Sequence, residues 1–152
     1  MSDVQRYVLD TGPFLLTFTE EDGSEKIRKI IRAHETGQTE AFIHPNNLAE
    51  GYKVISTLQS GKKLKSPDKN FDPRNIVRSA YATLSVIQNE ITTINLGVMK
   101  MKYHNKPWGD LSSAALAISL STEEKKVPVV ILEHERHFGD IEEVRVLRVS
   151  EL

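Results

Sequence analysis

The sequence predicts an α/β domain in which helices cover both faces of a central, mainly parallel sheet. Two observations carry this. The strand candidates Tyr7-Val8-Leu9, Val127 to Leu132 and Val144 to Val149 are apolar runs, the last interrupted by Arg145 and Arg148. Unbroken runs of this kind mark strands buried on both faces. Segments with helical apolar spacing separate them, and that alternation builds a parallel sheet. The 152 residues suit one domain over 1–152, long enough to bury a core without staples.

The elements follow in order. Gln5 to Asp10 reads as a buried strand. Thr11-Gly12-Pro13 turns the chain into a short helix through Leu16, with proline in its first turn. Ser24 is placed to cap a helix with Ile27, Ile30 and Ile31 on one face, and Gly37 to end it. Thr39 to His44 is a second strand. A helix from about Asn47 aligns Leu48, Tyr52 and Ile55. Ser60 to Asn70, polar and lysine-rich with Gly61 and Pro67, reads as an exposed loop.

Asp72-Pro73 then starts a helical segment, aspartate as cap and proline at the first position. Val77, Ala80, Leu84, Ile87, Ile91, Ile94, Val98 and Met101 form a heptad-like seam expected in the core, with a dimer or antitoxin interface as the alternative. Thr92-Thr93 and Gly97 weaken its far end, so one helix or two fit the pattern. Leu111, Ala114, Ala115 and Ile118 mark a narrow helix able to pack close to the sheet.

Composition bounds the function. The chain has no cysteine, which excludes disulfides and thiolate metal sites and suits the cytoplasm. No apolar run approaches the ~18 residues of a membrane span. Met1 to Arg6 lacks a signal-peptide pattern. With a net charge of −1, a nucleic-acid partner must be met by a local basic surface.

Acidic residues stand at element ends. Asp10 ends the first strand. Glu50 lies early in a helix. Asp110 precedes the alanine-rich helix, and Glu133-His134-Glu135 follows the Val127 strand. Ligands of such sheets bind beyond the carboxyl ends of the strands, so these groups are expected to converge. Converged carboxylates repel one another until a proton or cation neutralises them. Hard cations such as Mg²⁺ or Mn²⁺ take oxygen ligands, which points to metal-assisted phosphodiester cleavage. Taken singly, Asp110 reads first as a helix cap and Glu50 also suits a solvated first-turn residue; the ordered set favours the site. Asp10, after a buried strand, is costly unless paired or metal-bound.

In their order these motifs resemble PIN-domain nucleases. Tyr7-Val8-Leu9-Asp10-Thr11-Gly12-Pro13-Phe14-Leu15-Leu16 is similar to their opening strand and turn. Asn47-Leu48-Ala49-Glu50 resembles their second acidic position and Gly109-Asp110-Leu111-Ser112-Ser113 their third. Val129 to Phe138 resembles their last catalytic strand and acidic turn. The resemblance covers nearly the whole chain. It implies a PIN-like three-layer α/β/α domain and a Mg²⁺- or Mn²⁺-dependent endoribonuclease. Small members of this kind are often VapC-type toxins, so it further implies an antitoxin partner and a homodimer. Carried over by position, Asp10, Glu50 and Asp110 are metal-binding catalytic acids. The usual fourth aspartate is replaced, leaving Glu135 first, Glu133 second and Asp140 third.

Other residues are assigned to substrate. Thr11 and Ser113 flank the acids. Lys106 and Trp108 belong to the basic and aromatic stretch Lys100 to Trp108, a mixture suited to phosphate contacts and base stacking. His134 and His137, with Glu133 and Glu135, offer transition-metal ligands, but their turn lacks the helical spacing of zinc motifs, so solvated groups or substrate contacts are the preferred reading. His44 lines the cleft or caps its loop. Two alternatives stand beside the toxin: a noncatalytic PIN-like RNA- or protein-binding domain, and a processing nuclease without antitoxin. Asp10-Thr11-Gly12 also matches an aspartic-protease signature. The helical patterns and the lack of a second triplet count against it.

Overall fold

A computed structural model describes residues 4–60 and 70–152. Most of the lysine-rich segment, with Lys62, Lys63, Lys65 and Lys69, lies outside the described residues. Five strands form one sheet: β1 (Gln5–Leu9), β2 (Thr39–Ile43), β3 (Ser85–Val86), β4 (Val129–Ile131) and β5 (Val146–Arg148). Their order is β3-β2-β1-β4-β5, and every pairing is parallel. Val8 pairs with Phe42 on one side and Val129 on the other, which fixes the central register.

Alternate residues of β1, β2 and β4 enter two different cores. Leu9 and Val130 pack with α1 (Thr11–Leu15), α2 (Ser24–Glu35), α3 (Pro45–Ser60) and α4 (Arg74–Thr83). Val8, Val129 and Ile131 pack on the opposite face with α5 (Glu90–Lys102) and α6 (Trp108–Leu120). Burial on both faces is why the strands read as continuous apolar runs. Residues Gly109 through Ala117 of α6 are all buried, and their small side chains let this helix lie close under its neighbours.

The long seam divides. Leu84 turns extended after α4, Ser85-Val86 pairs with β2, and Asn89 Oδ1 accepts from Thr92 N at 2.9 Å to start α5. Ala80 and Leu84 are buried as expected. Ile91, Ile94, Val98 and Met101 are not: they are 63, 58, 57 and 85% exposed, on the side of α5 away from the sheet. The core expectation for that half is corrected. The strand β3 went unread because two residues are too short for a period. Tyr52 also faces outward, while Leu48 and Ile55 are buried. Gly37 ends α2 with φ +78 as expected. Ser24 does not cap that helix; Gly23 holds the cap position, and the Ser24 hydroxyl meets Thr19 Oγ1 at 2.9 Å.

The chain runs outward from β1 through β2 to β3, then returns to lay β4 on the other side of β1. The order therefore reverses between the carboxyl ends of β1 and β4, the place where such sheets form a crevice.

Candidate metal centre

Asp10 leaves β1 in extended conformation and occupies the cap position of α1 without capping it. Its Oδ1 instead accepts from Ser113 Oγ at 2.8 Å and from Asn47 Nδ2 at 3.1 Å. The same amide lies 3.0 Å from both Thr11 Oγ1 and Gly109 O. Three acceptors around one nitrogen fix the orientation of the Asn47 amide. Its Oδ1 is left buried without a hydrogen-bond partner among the described residues. Orphaned acceptors are expensive, on the order of 1–3 kcal/mol. Asn47 thus ties β1, α3 and α6 together at one point.

Glu50 sits one turn beyond Asn47, on the same face of α3. A Cβ at Gly109 would overlap Glu50 Oε2, so the missing side chain admits this carboxylate against α6. Asp110 is the third residue of α6, in its first turn, and Pro107 holds the cap position. The Asp110 side chain meets His137, with Oδ2 2.7 Å from Nδ1. Glu135 Oε1 lies 3.5 Å from the same nitrogen and accepts from His137 N at 2.6 Å. Arg148 braces this turn, donating from Nη1 to the carbonyls of Leu132 at 2.8 Å, Glu133 at 2.7 Å and Glu135 at 3.3 Å.

Asp10, Glu50, Asp110 and Glu135 line one cleft of about 290 Å³. Among the described residues that line it there is no lysine or arginine. Burial, then the charge of Asp110, pushes Asp10 up to about 8. Burial first and Asp110 second raise Glu50. Burial also raises Asp110, against the lowering effect of its His137 hydrogen bond. These acids face one another with no lysine or arginine in the described lining, and a divalent ion would relieve all of them together. The donor set, oxygen-rich with one imidazole at its edge, fits such an ion.

Neither a protein-family model nor a curated protein matches the sequence. Solved structures do match. VapBC2 from Rickettsia felis, bound to a DNA fragment from their promoter, aligns with TM-score 0.60 and 18% identity, over 95% of this chain and 98% of that one. A toxin–antitoxin complex from Klebsiella pneumoniae aligns with TM-score 0.56 and 14% identity, over 96% and 99%. The fold is PIN-like.

Within this PIN-like frame, the remaining expected residues fall in different places. Thr11 is buried, donating to Asn47 O at 3.2 Å. Ser113 is fully buried under Asp10 and donates to its carboxylate. Glu133 turns away, accepting from Ser150 N at 2.7 Å and Ser150 Oγ at 2.9 Å. The structure does not bring it to the lining of the cleft. Asp140 pairs with Lys106 Nζ at 2.6 Å, which leaves Glu135 as the fourth acid brought to the cleft. Trp108 is 55% exposed, with Lys100 Nζ 4.9 Å from its ring centroid. His134 is exposed. His44 caps, its Nδ1 accepting from Asn46 N at 3.0 Å. Sequence reasoning missed the roles of Asn47, Gly109 and Arg148, and preferred to read His137 as a solvated group or substrate contact. Only Asn47 left a usable signal, three residues before Glu50 and hence on its face.

Proposed function

We propose that residues 1–152 form one PIN-like domain acting as a Mg²⁺- or Mn²⁺-dependent endoribonuclease, the toxin half of a toxin–antitoxin pair. The observation that carries this reading is the convergence of Asp10, Glu50, Asp110 and Glu135 on one cleft without a lysine or arginine in its described lining. Two solved structures that share the fold, VapBC2 and the Klebsiella pneumoniae complex, are toxin–antitoxin complexes, which supports an antitoxin as partner. No helix of the described residues is long and apolar enough to cross a membrane, and the cytoplasm is the proposed location.

Asp10, Glu50, Asp110 and Glu135 would hold the ion. When bound, it would activate water and offset charge on a phosphodiester. Ser113 and Asn47 fix the Asp10 carboxylate, and Gly109 sets how near Glu50 comes. Trp108 offers an exposed ring for base stacking, with Lys100 beside it and Lys106 near Asp110. The exposed stripe Ile91, Ile94, Val98 and Met101 keeps alternating three- and four-residue spacing, which suits pairing with the same stripe of a second copy.

The test is cleavage of a pool of structured RNAs with Mn²⁺, with chelator, and with Asp10→Asn protein. Metal-dependent cutting that the variant loses supports the nuclease. Folded protein that neither cuts RNA nor binds Mn²⁺ saturably would be a noncatalytic binding domain.

A further inference from the structure

We propose that His137 is itself a metal ligand through Nδ1, and that it shifts the site toward manganese and later transition ions over magnesium. The inference rests on the metal-dependent reading of the cleft and adds a donor that the acids alone do not supply. Asp110 Oδ2 and Glu135 Oε1 lie 2.7 and 3.5 Å from this nitrogen. One ligand atom from each of Asp110, Glu135 and His137 falls within 4.8 Å of the others, the spread of a single coordination sphere.

The side chain is not there for packing. It is 56% exposed, yet its ring nitrogen is directed between two carboxylates. The turn is set up to hold it so. Its own backbone N–H donates to Glu135 Oε1, which links the position of the ring to that of the fourth acid. Glu135 is in turn carried on the segment that Arg148 braces. Two carboxylates and one imidazole nitrogen form a donor set that Mg²⁺ does not prefer and that first-row transition ions do. A histidine that only oriented Asp110 would weaken all divalent ions alike. A histidine that ligates weakens the nitrogen-preferring ions selectively.

Calorimetric titration of the full chain with MgCl₂, MnCl₂ and CoCl₂, for wild type and His137→Ala, separates these roles. Visible absorption of the Co²⁺ form gives a second readout independent of RNA cleavage. The expected result is wild-type binding of Mn²⁺ and Co²⁺ about tenfold or more tighter than Mg²⁺. His137→Ala should lose that preference, alter the Co²⁺ spectrum and leave Mg²⁺ affinity nearly unchanged. Equal weakening of all three ions, or no change in any, overturns the ligand assignment while leaving a metal site. Wild-type protein that binds none of the three removes the underlying nuclease reading as well. His137 is more than half exposed, and the melting curve of the variant checks that it folds.

Discussion

An aspartate that ends a buried strand and opens a helix ordinarily caps that helix, and Asp10 does not. Ser113 and Asn47 hold its carboxylate toward the other acids, so the folded state keeps a group it cannot easily ionise. The sign of the pH dependence follows. Unfolded, Asp10 titrates near the ordinary aspartate value of about 4. Folded, it titrates at about 8. Below the lower value both states hold the proton and nothing is lost. Between the two, only the unfolded chain has released it, so stability of the metal-free protein falls as pH rises and levels off above the upper value. The loss is on the order of a few kcal/mol. Melting temperature measured with chelator should therefore drop from pH 4 to 8, and Mn²⁺ should restore it most at the alkaline end. Asp10→Asn keeps an acceptor for Ser113 but has no charge to repel. That variant should melt higher than wild type at pH 8 without metal, and show no Mn²⁺ effect. A wild-type melting temperature independent of pH over this range would refute the raised Asp10. Ser113→Ala should fold and weaken Mn²⁺ binding roughly 10–100-fold, as loss of an orienting hydrogen bond does.

Between elements, the site depends on two contacts that no side-chain pattern announces. Helices α3 and α6 meet where Glu50 lies over Gly109. Gly109→Ala should displace the far end of a flexible side chain, which is cheap for folding and costly for the site. The expected outcome is a nearly unchanged melting temperature with Mn²⁺ affinity and RNA cleavage both reduced; unchanged metal affinity would show that Glu50 need not sit there. On the other side of the cleft, Arg148 joins β5 to three carbonyls of the turn carrying Glu135. Arg148→Ala should loosen that turn and lower Mn²⁺ affinity by roughly 10–100-fold. A crystal structure of the variant with an undisturbed turn would contradict this. These contacts also mark how far the sequence could be read. The strands were legible because burial on both faces leaves a continuous apolar run, and Asp10, Glu50 and Asp110 because each falls at a recognisable element boundary. The sequence ranked Glu135 ahead of Glu133, but two residues along a turn have no fixed direction. Only the Ser150 contacts of Glu133 decide between them. Gly109 as a gap for Glu50, and Arg148 as a brace, depend on residues distant in the chain meeting in space.

The whole molecule joins a crevice set by topology to a surface set by one helix. The cleft exists because strand order reverses between β1 and β4, and both α3 and α6 begin on that side of the sheet. Helix α5 covers α6 with one face and presents Ile91, Ile94, Val98 and Met101 on the other. Four large apolar side chains, each more than half exposed along one helix face, make a patch that water opposes and a partner would cover. A second copy is a sufficient occupant, because a two-fold axis places the same stripe against itself and needs no other complementarity. Ile94→Lys puts a charge at the middle of that contact while leaving the buried side of α5 untouched. Light scattering after gel filtration should find wild type at twice the chain mass and the variant at the chain mass, with Mn²⁺ binding retained because the cleft lies elsewhere. A wild-type monomer, or a variant that remains dimeric, would reject this face as the contact between copies. If the variant lost Mn²⁺ binding on dissociating, the cleft would depend on the second copy for its shape, although the acids that line it come from one chain.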